Sequence, residues 1–193
     1  MKFSAVILAG GKSSRMGCDK ALLQLDGLSL LARQIGLVLS IGASEVFISG
    51  RKDADYSAFG CRVLQDRFDD AGPLAGIERA LDAASLPLLL VLAVDLPQMS
   101  AEFLGRLAAN CTATTGAIPR ISGQVEPLGA FYPTKMKLEL LRAGSETGVP
   151  GARDFAARCV TGKLAVYVDC GTRDAKYFRN WNSPADIDSA CRT

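Results

Sequence analysis

Between positions 8 and 20 the chain reads LAGGKSSRMGCDK, and its Gly10, Gly11, Ser13, Ser14, Arg15 and Lys20 are groups suited to holding a polyphosphate. Glycines without Cβ atoms let a ligand approach the main chain closely. Backbone N–H groups, hydroxyls and the cations of Arg15 and Lys20 can then meet phosphate oxygens. Two common phosphate motifs are absent. GxGxxG fails because Lys12 stands two places after Gly10, and GxxxxGK[ST] fails because Cys18 and Asp19 separate Gly17 from Lys20. The stretch is thus a phosphate-loop candidate outside the two commonest kinds. Its competing reading is an ordinary turn with surface cations.

Two aspartates add a second kind of chemistry. Asp95 stands directly after the apolar run 86–94, LPLLLVLAV, and an aspartate held at the end of a buried strand is a candidate metal ligand as well as a turn former. Asp66 follows CRVLQ at 61–65 and opens the acidic stretch DRFDDAG, where it is a second candidate carboxylate among several charges. Histidine is absent from the chain, which rules out a histidine base or a Ser-His-Asp triad. The six cysteines are scattered without a CxxC pair, which argues against structural zinc and for reduced thiols in a cytoplasmic protein. Cys18 lies between Arg15 and Lys20, where a thiolate could be stabilised.

Positioning these groups requires a scaffold, and the apolar pattern supplies one. FSAVILA at 3–9 reads as a buried strand leading into the glycines. A helix from Ser29 to about Ile41 follows an Asp26-Gly27 turn, with Gly42 as its stop. Strands are predicted at 45–49 and 61–65, joined by a polar connection over 50–60. Gly72-Pro73 then opens a helix through Ile77, Ala80, Leu81 and Ala84. Residues 88–94 form a strand apolar on both faces, as in a central strand of a parallel sheet covered by helices.

Strand and helix alternate through the first hundred residues, which argues for βαβ units and a doubly wound, mostly parallel α/β fold. In such sheets ligands bind at the carboxyl ends of strands. That rule brings the glycine loop, Asp66 and Asp95 into one candidate site. Beyond residue 100 the pattern predicts a helix at 101–109 and strands at 116–120 and 125–132 with a Ser122-Gly123 hairpin turn. It further predicts helices at 135–142 and 152–159, a strand at 164–169 and a short terminal helix. No repeat or linker divides the 193 residues, so one domain spans 1–193. A formal charge of +2 gives no footprint for nucleic acid, and no apolar stretch approaches the length of a membrane span.

With LAGGKSSRMGCDKALL at 8–23, GPLAG at 72–76, LAVDLP at 92–97 and FRNWNSPADI at 178–187, the chain resembles the molybdenum cofactor guanylyltransferases over essentially its full length. LAGG with GPLAG points to the guanylyl branch, where cytidylyl relatives carry LAAG. The resemblance implies a Rossmann-like nucleotidyltransferase fold in three α/β/α layers, with a nucleotide-binding half at about 1–100 and an acceptor-binding half at about 101–193. It implies transfer of GMP from GTP to molybdopterin with Mg²⁺ as cofactor. Molybdopterin-supplying proteins or molybdoenzymes would be its transient partners.

Carried over by position, Leu8, Ala9, Gly10 and Gly11 would contact the nucleotide, and Lys20 with Arg15 would neutralise phosphate charge. Asp66 matches an acidic position of the nucleotide site, and Asp95 would hold Mg²⁺. Asn180 and Asn182 resemble the pterin-side segment. Where relatives often place an asparagine that helps bind the base, this chain has the shorter hydroxyl of Ser49. A cytidylyl or sugar-phosphate nucleotidyltransferase of the same fold stays open at this point. So does a non-catalytic cofactor-delivery protein, although intact Arg15, Lys20, Asp66 and Asp95 argue against it.

Overall fold

The structure is a computed structural model that describes residues 2–10, 19–51, 54–65, 72–136 and 151–181. Its centre is β1 (Phe3–Leu8), six consecutive buried residues. On one side β1 pairs in parallel with β4 (Ala43–Ser49), which pairs in parallel with β5 (Arg62–Leu64). On the other side it pairs in parallel with β6 (Leu88–Ala93), the fully buried strand that its unbroken apolar run predicts. In the chain segment from β1 to β4 comes a small separate hairpin of β2 (Gln24–Leu25) and β3 (Leu28–Ser29), turning at Asp26-Gly27.

Past β6 the sheet becomes mixed. β9 (Gly129–Pro133) runs antiparallel both to β6 and to β7 (Gly116–Ile121), and β7 pairs in parallel with β10 (Ala165–Cys170). The eight-stranded sheet therefore follows the order β10-β7-β9-β6-β1-β4-β5, with β8 (Gln124–Val125) attached to β7. The hairpin over Ser122-Gly123 forms as predicted, pairing Arg120 with Val125 and Ile121 with Gln124. The single strand expected over 125–132 is instead divided into β8 and β9. Pro127, which has no N–H to contribute to a ladder, lies in the break.

Helices cover both faces. Alternation along the strands sends Phe3, Ala5, Ile7, Leu88, Leu90 and Leu92 into one apolar cluster with α1 (Leu30–Ser40) and α3 (Ala101–Ala108). Val6, Leu8, Leu89 and Val91 go into a second cluster with α2 (Pro73–Ala83) and α4 (Ala152–Thr161). Each fully buried Leu, Ile, Val or Phe contributes about 1.5–3 kcal/mol relative to exposure. The central strands are therefore the most strongly held part of the molecule, and the loops at their ends inherit fixed positions.

Helix starts follow side-chain chemistry. Ser29 Oγ accepts from the Ala32 N–H at 3.1 Å and Ser100 Oγ from the Phe103 N–H at 3.2 Å. Met136 closes a short 3-10 turn (Thr134–Met136), while most of the helix predicted over 135–142, and the terminal helix, lie outside the described residues. A further 3-10 segment, Thr172–Phe178, was not expected from the pattern. Among the described residues, no helix is long and apolar enough to cross a membrane.

Candidate active site

Strand register sets the site. Leu8 is level with Ser49 on one side and Ala93 on the other, and Ser49 is level with Leu64, so four parallel strands end in one row. Gly10 and Asp95 each lie two residues beyond that row. The main chain is stitched across it: the Ala9 and Gly10 N–H groups donate to the Ser49 carbonyl at 2.8 and 3.1 Å, and the Val94 N–H donates to the Leu8 carbonyl at 3.1 Å. Leu8 and Ala9 are buried and Gly10 is exposed, so the chain reaches solvent at the first glycine. Ser49 is buried at 4%, with its hydroxyl against Gly76 of α2.

Lys20 returns to this edge from beyond the glycine loop. Its Nζ donates to Asp95 Oδ2 at 2.9 Å across 75 residues of sequence, with the two side chains 13% and 24% exposed. Asp95 is held in turn by its neighbours. Gln34 of α1, itself 2% exposed, donates from Nε2 to the Leu96 carbonyl at 2.7 Å, and the Trp181 N–H donates to the Asp95 carbonyl at 3.1 Å.

Trp181 draws the chain's last described segment to the site. The preceding 3-10 turn is anchored by Tyr177 and Phe178 against Phe103 of α3, with ring centroids 5.0 and 5.4 Å apart. Phe178 also covers Gly129, where an added Cβ would lie 2.7 Å from its ring. Asn180 is consequently exposed next to the residue that bonds Asp95. Gly11, Arg15, Cys18, Asp66 and Asn182 lie outside the described residues.

Sequence reasoning missed a support behind Lys20. Asp19 caps the short 3-10 turn Lys20–Leu22, its Oδ1 accepting from the Ala21 N–H at 3.0 Å. Its other oxygen, Oδ2, accepts from the Tyr56 hydroxyl at 2.5 Å. Tyr56 is 1% exposed, and its ring lies so close to Gly50 that a Cβ there would sit 2.2 Å from the ring. It falls in the segment 50–60, whose polar composition reads only as a connection. A lone tyrosine there was the available signal, along with the single tryptophan of FRNWNSP.

The ionisation around the site is simple. Burial, the hydrogen bond to Asp19 and the charge of Asp19 push the Tyr56 phenol well above its ordinary range, against the opposing backbone hydrogen bond and charge of Arg51. Tyr56 therefore stays a proton donor at neutral pH. Cys111 is pushed up to about 12, chiefly by burial, so it is a packed thiol and not a nucleophile. Among the described residues no three His, Cys, Asp or Glu side chains gather as a metal cluster. A groove of about 680 Å³ between α3 and the end of β10 includes Phe103, Arg106, Asn110 and Asp174, and none of the residues lining it belongs to the Lys20–Asp95 edge.

The arrangement pairs a cation and a carboxylate beside exposed main chain at the carboxyl edge of a parallel sheet, which suits a nucleoside triphosphate. Comparison with known proteins agrees with that chemistry. Residues 5–162 match the model of a MobA-like NTP transferase domain. The chain is 35% identical to a probable molybdenum cofactor guanylyltransferase of Opitutus terrae, covering 96% of this chain and 93% of that one. It is 38% identical to the molybdenum cofactor guanylyltransferase of Pseudomonas aeruginosa over 72% of this chain and 73% of the relative. Its fold is shared with the solved molybdopterin-guanine dinucleotide biosynthesis protein A of Archaeoglobus fulgidus. That similarity has a TM-score of 0.71 and 23% identity, over 98% of this chain and 96% of the other.

Proposed function

The chain belongs to the MobA-like NTP transferase family, and from that premise we propose that it transfers GMP from GTP to the terminal phosphate of molybdopterin. Pyrophosphate leaves and a guanine dinucleotide form of the cofactor results. The observation that carries the reading is the Lys20–Asp95 pair at 2.9 Å, beside the strand end that exposes Gly10. The two motifs that the resemblance assigns to phosphate and metal thus meet at one edge.

The reaction needs no protein nucleophile and no histidine base. An oxygen of the acceptor phosphate attacks the α-phosphorus of GTP, the bond from that phosphorus to the bridging oxygen breaks, and that oxygen leaves with pyrophosphate. What the protein supplies is alignment and charge. Leu8, Ala9, Gly10 and Gly11 would contact the nucleotide, Ser49 would take the position where relatives place a base-binding asparagine, and Asp66 would serve the nucleotide site. Lys20 and Arg15 neutralise the charge that develops on the departing pyrophosphate. Asn180 and Asn182 would serve the acceptor. In this division residues 1–100 serve the nucleotide and 101–193 the pterin.

A divalent metal fits the donor chemistry at Asp95. Its carboxylate supplies hard oxygen ligands and already accepts one cation, the Lys20 ammonium. Mg²⁺ is commonly held by one or two carboxylates with phosphate oxygens and waters completing the shell, and Asp95 supplies one such carboxylate. Asp95 would hold the ion, which when bound neutralises triphosphate charge. A cytoplasmic setting suits this reading, because Cys61, Cys111, Cys159 and Cys170 are free thiols. Transient contact with proteins that supply molybdopterin or receive the product belongs to the same proposal.

The test is incubation with molybdopterin, Mg²⁺ and GTP, CTP, ATP or UTP in turn, with the dinucleotide product identified by mass. The guanine dinucleotide is the expected product. Faster turnover of CTP would reassign the chain to cytidylyl transfer, and binding of GTP and molybdopterin without pyrophosphate release would make it a delivery protein.

A further inference from the structure

We propose that Tyr56 is a positioning residue for nucleotidyl transfer: its hydroxyl fixes Asp19 against the exit of β4 and thereby sets where Lys20 is held. The inference rests on the role given to Lys20 above.

The contacts form a relay from the nucleotide's base side to its phosphate side. Tyr56 is buried, and its ring fills the space left by the missing Cβ of Gly50, the residue immediately after β4. The close packing of the ring on Gly50 orients the hydroxyl from the strand exit. Its proton then goes to Asp19 Oδ2 at 2.5 Å, while Asp19 Oδ1 receives the Ala21 N–H at 3.0 Å. Both oxygens of Asp19 are engaged, one by the turn that carries Lys20 and one by the body of the domain. The side chain after that carboxylate reaches Asp95 at 2.9 Å.

The geometry gives the hydroxyl a specific task. Without it the Asp19 carboxylate loses the bond that holds it to the β4 exit and is free to turn toward its neighbour Lys20, competing with phosphate for the ammonium. A tyrosine that stays protonated near neutral pH, its ring filling the space left by the missing Cβ of Gly50, resists that turn.

A double-mutant cycle separates this role from plain packing. Tyr56→Phe keeps the ring and removes only the hydroxyl, and Asp19→Asn is a second variant that removes the charged acceptor while keeping an oxygen for the Ala21 N–H. Each is measured alone and with Lys20→Met, using pyrophosphate release under saturating GTP and molybdopterin, with circular dichroism and thermal unfolding checking the fold. Loss of a hydrogen bond to a charged group predicts about a ten-fold fall in kcat for Tyr56→Phe, with GTP affinity unchanged within about two-fold. In the Lys20→Met background the same substitution is expected to change kcat less than two-fold, because Tyr56 acts through Lys20.

An equal fall in both backgrounds, or no fall in either, would overturn the inference. Wild-type kcat in Lys20→Met alone would overturn the assignment of Lys20 itself. A Tyr56→Phe protein that unfolds, together with a folded Asp19→Asn protein of wild-type kcat, would reduce Tyr56 to a core residue.

Discussion

Gly76, the last glycine of GPLAG, lies in the first turns of α2 with the row of strand ends directly beneath it. A Cβ built on it would stand 2.2 Å from Ser49 Oγ and 2.9 Å from both Ser49 Cβ and Leu8 Cδ2. Ordinary contacts of this kind are about 3.5–4 Å, so Gly76→Ala requires α2 to retreat by roughly 1 Å or Leu8 and Ser49 to shift. Rotating the Ser49 hydroxyl cannot relieve the clash, because Ser49 Cβ is itself one of the short contacts. Alanine in a helix interior gains about 1 kcal/mol over glycine, whereas overpacking a dense core costs about 1–3 kcal/mol.

The expected net effect of Gly76→Ala is a loss of about 1 kcal/mol, or a fall in Tm of about 2–4 °C for a chain of this size. Because Leu8 and Ser49 border the proposed nucleotide site, KM for GTP should rise several-fold while KM for molybdopterin holds. The control is Gly105→Ala in α3, where an added Cβ meets nothing within 4 Å. That change should carry the helix gain alone and raise Tm. Urea and thermal unfolding of the two variants, with steady-state kinetics, make the comparison. A Gly76→Ala protein as stable as Gly105→Ala, with unchanged KM for GTP, would refute the claim that α2 packs to contact at this edge.

Asp95→Asn keeps the size of the side chain but removes the charge that pairs with Lys20. Pyrophosphate release from GTP should fall at least 100-fold and need higher Mg²⁺, and full activity at ordinary Mg²⁺ would remove Asp95 from the metal site. At the opposite end of the sheet, Glu45 Oε1 accepts from Ser85 Oγ at 2.5 Å, and Oε2 accepts from Ser4 Oγ at 2.5 Å and the Ser85 N–H at 3.0 Å. Burial raises its pKa, but these hydrogen bonds and the charge of Arg62 more than offset that, so the folded value lies below the ordinary 4.5. A depressed carboxylate contributes stability above its unfolded pKa and loses it as pH falls through the folded value. Glu45→Gln should accordingly be less stable than the parent at pH 7, with the gap closing as pH falls from the ordinary 4.5 through the lower folded value in urea titrations; a constant gap throughout would rule the linkage out.

Much of the scaffold was legible because it is encoded locally. The apolar run at 88–94 announces a strand covered on both faces, and Ser29 stands where a helix start needs an acceptor for free N–H groups. Ser122-Gly123 likewise marks a two-residue hairpin. The division of 125–132 was missed because strand residues surround Pro127 on both sides, and the missing N–H counts only once a neighbouring strand requires it. The segment 172–178 carries no period to betray it; it is held by Tyr177 and Phe178 on α3, a contact between parts of the chain some 70 residues apart. At the site, Lys20 and Asp95 were readable as residue types, while Tyr56, Gln34 and Trp181 were not. Each of these three acts by a hydrogen bond to something distant, namely Asp19, the Leu96 carbonyl and the Asp95 carbonyl.

The amino-acid sequence by itself determined which chemistry was available: a glycine loop with cations, aspartates after apolar strands, and no histidine to act as a base. Composition and spacing are properties of neighbours along the chain, and they are present before any folding. Only the tertiary structure decided that Leu8, Ser49 and Ala93 end level with one another, and that Lys20 meets Asp95 across 75 residues with Tyr56 bracing the turn between. Those outcomes depend on strand register and on which way a buried ring faces, and both are set by packing the two faces of the sheet at once.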